Sequence, residues 1–219
     1  MTVDRGIELE SVRVTNALRD DIMLGRRLPG ARLIERDIAA ELGVSRLPVR
    51  EAIKALVGEG LAVKNPRTWA VVREFTIKDI RDFAEFREAI ETLAWVLAAQ
   101  RHDDHGAALM RATFARESRA VASGDIAGAQ AASAQFHTMA VGLSGNDVLQ
   151  ELAESYVTRL RWLFGQFEEV VRMVDDHRVI LDAFLARDVD ALRELIPGHL
   201  AEGRDAAERR LRARTERSG

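Results

Sequence analysis

The apolar positions along the chain change texture near residue 75. Before it they come in short groups separated by turn residues. Val12, Val14, Leu18 and Ile22 predict an amphipathic helix from Leu9 to about Leu24, stopped by Gly25. Pro29-Gly30 marks a turn, and Ile38, Ala39 and Leu42 line one side of a short helix over 35–42 that ends at Gly43. Ser45 is placed to cap the next helix, with Pro48 in its first turn, where a proline is tolerated. Val49, Ile53 and Leu56 form the core face of that helix, and Gly58-Glu59-Gly60 closes it. Two β-like stretches, 61–64 and 69–73, then flank Asn65-Pro66-Arg67-Thr68, the pattern of a hairpin.

Beyond Thr76 the chain reads as long alanine- and leucine-rich helices with almost no strand signal. Thr76 and Asp79 have capping-box spacing. Helices are predicted over 77–101, 104–122, 126–143, 147–168, 171–186 and 189–213. The breaks fall at Asp103, Gly124-Asp125, Gly145-Asn146 and Asp188; Asp125, Asn146 and Asp188 can each cap the helix that follows. The boundary inside 147–186 is weakly marked, since 168–176 could be continuous helix. The charged stretch from Arg204 onward is expected to fray. The expected fold is therefore mainly α. Residues 1–75 follow the helix, helix, turn, helix, hairpin order of a winged helix-turn-helix, and 76–219 form an all-α bundle.

A length of 219 residues suits two domains. No apolar run approaches the roughly 18 residues that suggest a spanning helix. The N-terminal ten residues lack the apolar core of a signal peptide, and there is no cysteine. A cytoplasmic protein without membrane contact, disulfides, thiolate metal sites or a cysteine nucleophile is expected. Net charge is -3, which taken whole argues weakly against nucleic acid, but the charge is unevenly distributed. Residues 45–73 hold six basic side chains (Arg46, Arg50, Lys54, Lys64, Arg67, Arg73) against Glu51 and Glu59. A local basic surface suffices to meet phosphates.

The third helix carries the candidate chemistry of this half. A recognition helix presents its N-terminal residues to base edges in the major groove. Here those residues are Ser45, Arg46, Leu47 and Arg50, with the two arginines one turn apart on one face and Val49, Ile53 and Leu56 on the other. The run Val44-Ser45-Arg46-Leu47-Pro48-Val49-Arg50-Glu51-Ala52 resembles the N-terminal domain of the GntR family of bacterial regulators. The resemblance implies DNA contacts from Arg36, Ser45, Arg46 and Arg50, and wing contacts from Lys64, Arg67 and neighbours. Arg36 has a second reading, pairing with a neighbouring acid. Leu47 stands where a threonine is usual, which removes a hydroxyl. Trp69 replaces a common wing glycine, and wing packing is the expected role.

In the helical half, three histidines sit on apolar stripes of three separate predicted helices. His137 aligns with Ile126, Ser133, Ala140 and Val141, His177 with Val174, Leu181 and Phe184, and His199 with Leu192, Leu195 and Ile196. Facing helices of a bundle can bring such residues to one point, and imidazole is a good ligand for zinc, nickel and similar ions. His102 and His105 fall at a polar junction and are expected to be solvated. The words Phe136-His137 with Ser144-Gly145-Asn146, Asp176-His177-Arg178-Val179-Ile180, and His199-Leu200 resemble the FCD domain of the FadR-like branch of GntR regulators. With Phe86 to Ala99, the combined resemblance spans about 9–203.

The FCD resemblance implies that the three histidines hold a divalent metal together with a carboxylate four residues before the first. That position is Ser133, a poor substitute. Two readings stay open: one Zn- or Ni-like ion on His137, His177 and His199, or a metal-free pocket in which they bind an effector directly. Arg87, with Phe83, Ile90 and Ala94 on its face, needs an anion; Glu91 one turn on and an effector carboxylate are equal candidates. The expected protein is a homodimer that binds a near-palindromic double-stranded operator, as a repressor, and answers to a small organic acid held by Arg87, Ser133 and the histidines. A metal-dependent enzyme and an effector-independent DNA-binding protein are the competing classes. No acid/base pair or nucleophile accompanies the histidines, which disfavours the first.

Overall fold

The computed structural model describes residues 2–65, 69–164 and 170–218. They form two compact units, Met1–Phe75 and Thr76–Gly219. In the first, α1 (Thr2–Met23), α2 (Glu35–Leu42) and α3 (Arg46–Gly58) accompany a small antiparallel sheet of β1 (Arg32–Leu33), β2 (Ala62–Lys64) and β3 (Ala70–Val72) in the order β1-β3-β2. The hairpin expected from sequence is the β2–β3 pair, with Ala62 opposite Val72 and Lys64 opposite Ala70. The third strand, β1, was not expected: two residues carry no periodicity, and only pairing with Val71 and Ala70 makes them a strand. The first helix also starts earlier than Leu9. Its residues Val14, Leu18 and Ile22 are buried, as are Leu33, Ile38, Val49, Leu56, Leu61 and Val72 of the same unit, whereas Val12 is exposed.

The turn between α2 and α3 sets the direction of α3. Gly43 closes α2 in the left-handed conformation, φ 65°, and donates its N–H to the Ala39 carbonyl, as a glycine C-cap does. Ser45 occupies the N-cap of α3 with extended backbone, but its hydroxyl makes no capping hydrogen bond. The third helical position is Pro48, which has no N–H to offer. The hydroxyl is thus not spent on the helix.

The second unit consists of α4 (Ile77–Arg101), α5 (Asp104–Ala122), α6 (Ile126–Leu143), α7 (Asp147–Phe164), α8 (Val170–Leu185) and α9 (Val189–Ser218). Starts follow the caps. Thr76 and Asp79 form a complete capping box. Asp103, Asp125, Asn146 and Asp188 accept from the backbone N–H of Gly106, Gly128, Leu149 and Ala191. Helix α9 extends past the predicted 213 to Ser218; α7 is described as far as Phe164, and the rest of its predicted span, 165–168, lies outside the described residues. The continuous-helix reading of 168–176 falls partly on 165–169, outside the described residues. Replacing Asp125 by Ala removes one cap and is expected to lower stability by about 1 kcal/mol, read by urea denaturation.

The bundle core is built on Trp95, Phe136 and Phe184, with ring centroids 4.9 Å and 6.0 Å from Trp95. His102, expected to be solvated, is buried instead. Its Nε2 lies 3.3 Å from the Phe184 carbonyl and its ring is 4.4 Å from that of Phe184. The α8–α9 turn folds back on the end of α4, where the Arg187 guanidinium donates to the carbonyls of Ala99, Gln100 and His102. His105 is exposed as expected. No helix among the described residues is long and apolar enough to cross a membrane.

Candidate metal centre and nucleic-acid interface

Helix α3 buries Pro48, Val49, Ala52 and Leu56 and leaves Ser45, Arg46, Leu47 and Arg50 exposed. The two arginines converge on one acid. Glu35, the first residue of α2, accepts from Arg50 Nε and Nη2, both at 2.9 Å, and from Arg46 Nη2 at 3.4 Å. The Arg50 hydrogen bond, with Arg46 adding to it, holds the Glu35 carboxyl below the usual range. A guanidinium bound through its Nε–Nη2 edge keeps the far side of the fork for another acceptor. Arg36 is almost fully exposed, with Nε 2.9 Å from Asp37 Oδ1, so it is both paired and accessible. Lys64 is exposed on β2. Arg67 lies outside the described residues. Trp69 packs in the wing, with the Arg32 guanidinium 4.9 Å from its ring centroid.

In the second unit, α6, α8 and α9 bring His137, His177 and His199 together. His199 Nε2 is 3.1 Å from His177 Nε2 and 3.3 Å from His137 Nε2. The opposite ring nitrogens face acids. His137 Nδ1 is 2.6 Å from Glu91 Oε2, and His177 Nδ1 is 2.8 Å from Glu117 Oε2. His199 Nδ1 lies 3.6 Å from Asp176 Oδ2, beyond hydrogen-bond length. Burial drives all three imidazoles toward the neutral form, His177 to about 3. A neutral imidazole has one proton, and a carboxylate at Nδ1 draws it there. The Nε2 lone pairs of His137 and His177 then converge on His199 Nε2.

This donor set fits a cation. Tetrahedral zinc with bonds of about 2.0–2.1 Å places neighbouring nitrogens about 3.3 Å apart. His137, His177 and His199 would hold such an ion through Nε2, with Glu91 behind His137 and Glu117 behind His177 fixing those two tautomers. Ser133, the residue one turn before His137, is buried, with Oγ 3.8 Å from Met173 Sδ.

Arg87 Nε donates to Glu91 Oε1 at 2.5 Å, and both are buried. Glu91 thus bridges Arg87 and His137. Burial would raise its pKa, but Arg87 and His137 together hold it well below the carboxylate range. Glu117 behaves oppositely, as burial pushes it up to about 7.

Comparison with known proteins places this architecture. The FCD domain matches residues 82–202, and the domain of the bacterial regulatory proteins of the gntR family matches residues 10–72. The chain belongs to the GntR family, with an FCD domain. This GntR regulator is 30% identical over 200 residues to the "Probable D-xylose utilization operon transcriptional repressor" of Paenarthrobacter nicotinovorans, covering 88% of each chain. It is 28% identical to the Nta operon transcriptional regulator of Aminobacter aminovorans, over 80% of this chain and 90% of that one. Its fold matches that of Escherichia coli McbR/YncC with a TM-score of 0.76 at 22% identity, covering 92% of this chain and 98% of that one. These relatives are transcriptional regulators, which removes the metal-dependent enzyme from consideration.

Three acids at the two sites of the regulator were missed from sequence. Glu117 had a signal: it follows Met110 and Phe114 at helical spacing, an acid on an apolar stripe, as the histidines are. Glu35 and Asp176 had none, because an acid at a helix start or on a polar face is ordinary. Ile126, aligned with His137 by spacing, is in fact exposed.

Proposed function

We propose that this regulator is a homodimeric, cytoplasmic repressor that binds a two-fold symmetric operator through Ser45, Arg46, Leu47 and Arg50, with phosphate contacts from Arg36, Lys64 and Arg67. In this reading the second unit senses a small carboxylate, and His137, His177 and His199 hold a divalent ion of the zinc or nickel type. The observation that carries the reading is the convergence of three buried histidines, two of them with the second nitrogen on a buried acid, in a family whose other domain binds DNA. A metal bound there supplies a Lewis-acidic contact for the effector carboxylate. In this reading Arg87, in an ion pair with the Glu91 that meets His137, borders the effector pocket. Ser133 borders the site.

An effector shifts DNA binding only by the difference of its affinities for the DNA-bound and free forms, so hundredfold release needs about 2.7 kcal/mol of difference. The test is selection of duplexes from a randomised pool, followed by titration of the enriched duplex with organic acids, with and without metal. Enrichment of a two-fold repeat and release by one acid class is expected. Enrichment with no response to any acid would leave an effector-independent DNA-binding protein.

Self-association is supported by an exposed apolar surface. Phe86 and Leu93 on α4 and Val148 and Leu152 on α7 are exposed large hydrophobics. The two helices meet there, with the Phe86 ring 4.7 Å from that of Tyr156. Such a surface is typical of an interface. Leu93→Glu is expected to weaken the dimer about tenfold or more, measured by sedimentation. An unchanged sedimentation profile would place the interface elsewhere.

A further inference from the structure

Two buried carboxylates flank the histidine centre, and their charges are differently committed. Glu91 accepts from Arg87 at 2.5 Å, so its charge is balanced by a guanidinium before any ion is considered. Glu117, on α5, is fully buried and places both oxygens on His177 Nδ1, at 2.9 Å and 2.8 Å. The one ion pair it forms among the described residues is with that histidine. His177 is itself wholly buried, and its ring lies 4.5 Å from that of Phe136. Ser133 is buried and neutral, with its Oγ 3.8 Å from Met173 Sδ.

Three neutral imidazoles bring no negative charge to a dication, and an uncompensated buried charge is expensive. The site therefore needs an anion. Glu91 is spent on Arg87, and Asp176 is too far from His199 Nδ1 for a hydrogen bond, at 3.6 Å.

We infer that Glu117 is the anionic positioning residue of the metal centre, acting through His177 to supply the charge and ring orientation that Ser133 cannot. The inference rests on the reading that the histidine triad holds a divalent ion. A carboxylate behind a ligating histidine makes it a stronger donor and fixes its tautomer, and removal of such a group typically costs 10–100-fold in metal affinity. Ser133 lies one helical turn before His137 on α6, so an acid at 133 would share the face of that ligand. Charge lost at 117 can then be returned from 133.

The experiment is competition titration of zinc and of nickel against a chromophoric chelator, using the full-length protein. The parent is compared with Glu117→Gln, the double variant Glu117→Gln/Ser133→Asp, and His177→Ala, with circular dichroism of each metal-free form. The expected result is a 10–100-fold weaker ion affinity for Glu117→Gln with the helical signal kept, and recovery of at least tenfold in the double variant. If the Gln variant does not fold, Glu117→Leu gives the same readout. Glu117→Gln binding as tightly as the parent overturns the role of Glu117 alone, and so does a double variant that recovers nothing. A parent that binds neither ion, or a His177→Ala protein that binds as the parent does, overturns the triad reading and this inference with it.

Discussion

Dialysis of the protein against a chelator should lower its melting temperature by roughly 5–10 °C, and equimolar zinc or nickel should restore it. The size follows from linkage. An ion present at a hundred times its dissociation constant stabilises the folded state by about 2.7 kcal/mol. For a chain of 150–250 residues, 1 kcal/mol moves the midpoint by about 2–4 °C. His177→Ala should purify without metal and show no metal-dependent shift, because two imidazoles remain where three met. That variant also leaves Glu117 buried without its partner, so its absolute stability will fall for a second reason. The diagnostic quantity is the metal dependence, measured by calorimetry with and without ion. A parent whose midpoint ignores zinc and nickel would make the three histidines and Arg87 a direct pocket for an anionic effector.

Loss of Arg50 should be the most damaging change on the DNA-binding surface. A bidentate arginine contact to a base is worth about 1–3 kcal/mol of discrimination, so Arg50→Ala is expected to weaken binding to the enriched duplex by roughly 5–150-fold. Arg50→Ala also frees Glu35, which accepts two hydrogen bonds from Arg50 and one from Arg46. A released carboxylate next to phosphates adds repulsion, so Arg50→Ala should exceed Arg46→Ala, which breaks only the 3.4 Å contact. Lys64→Ala should weaken all duplexes alike and reduce the salt slope by about one. Fluorescence anisotropy over a salt series separates these behaviours, with sedimentation confirming an unchanged oligomer. Parent-like affinity in both arginine variants would remove α3 from the interface.

Much of this molecule was legible without coordinates because its signals are local. The starts of α4, α5 and α6 follow from Thr76, Asp103 and Asp125, whose side chains bond N–H groups three residues on. The core face of α3 follows from the spacing of Val49 and Leu56. Ser45 shows the limit of such a rule. The cap position was legible, but the capping bond fails because the residue that would donate is a proline. His102 shows another: polar neighbours in sequence suggested solvent, while the ring packs on Phe184, 82 positions away.

The sequence by itself determined the helical periodicity, the caps, the arginines at the start of α3 and the histidines on their apolar stripes. Each of these depends on residues within one or two turns of one another, where spacing alone dictates geometry. Tertiary structure decided which groups act together. Glu35 meets Arg50 across 15 positions, Glu91 meets His137 across 46, and Glu117 meets His177 across 60. A two-residue strand at Arg32 likewise exists only because β3 pairs with it. Such partnerships depend on how helices and strands pack, and packing is set by the summed burial of many side chains, none of which marks its distant partner in the local pattern.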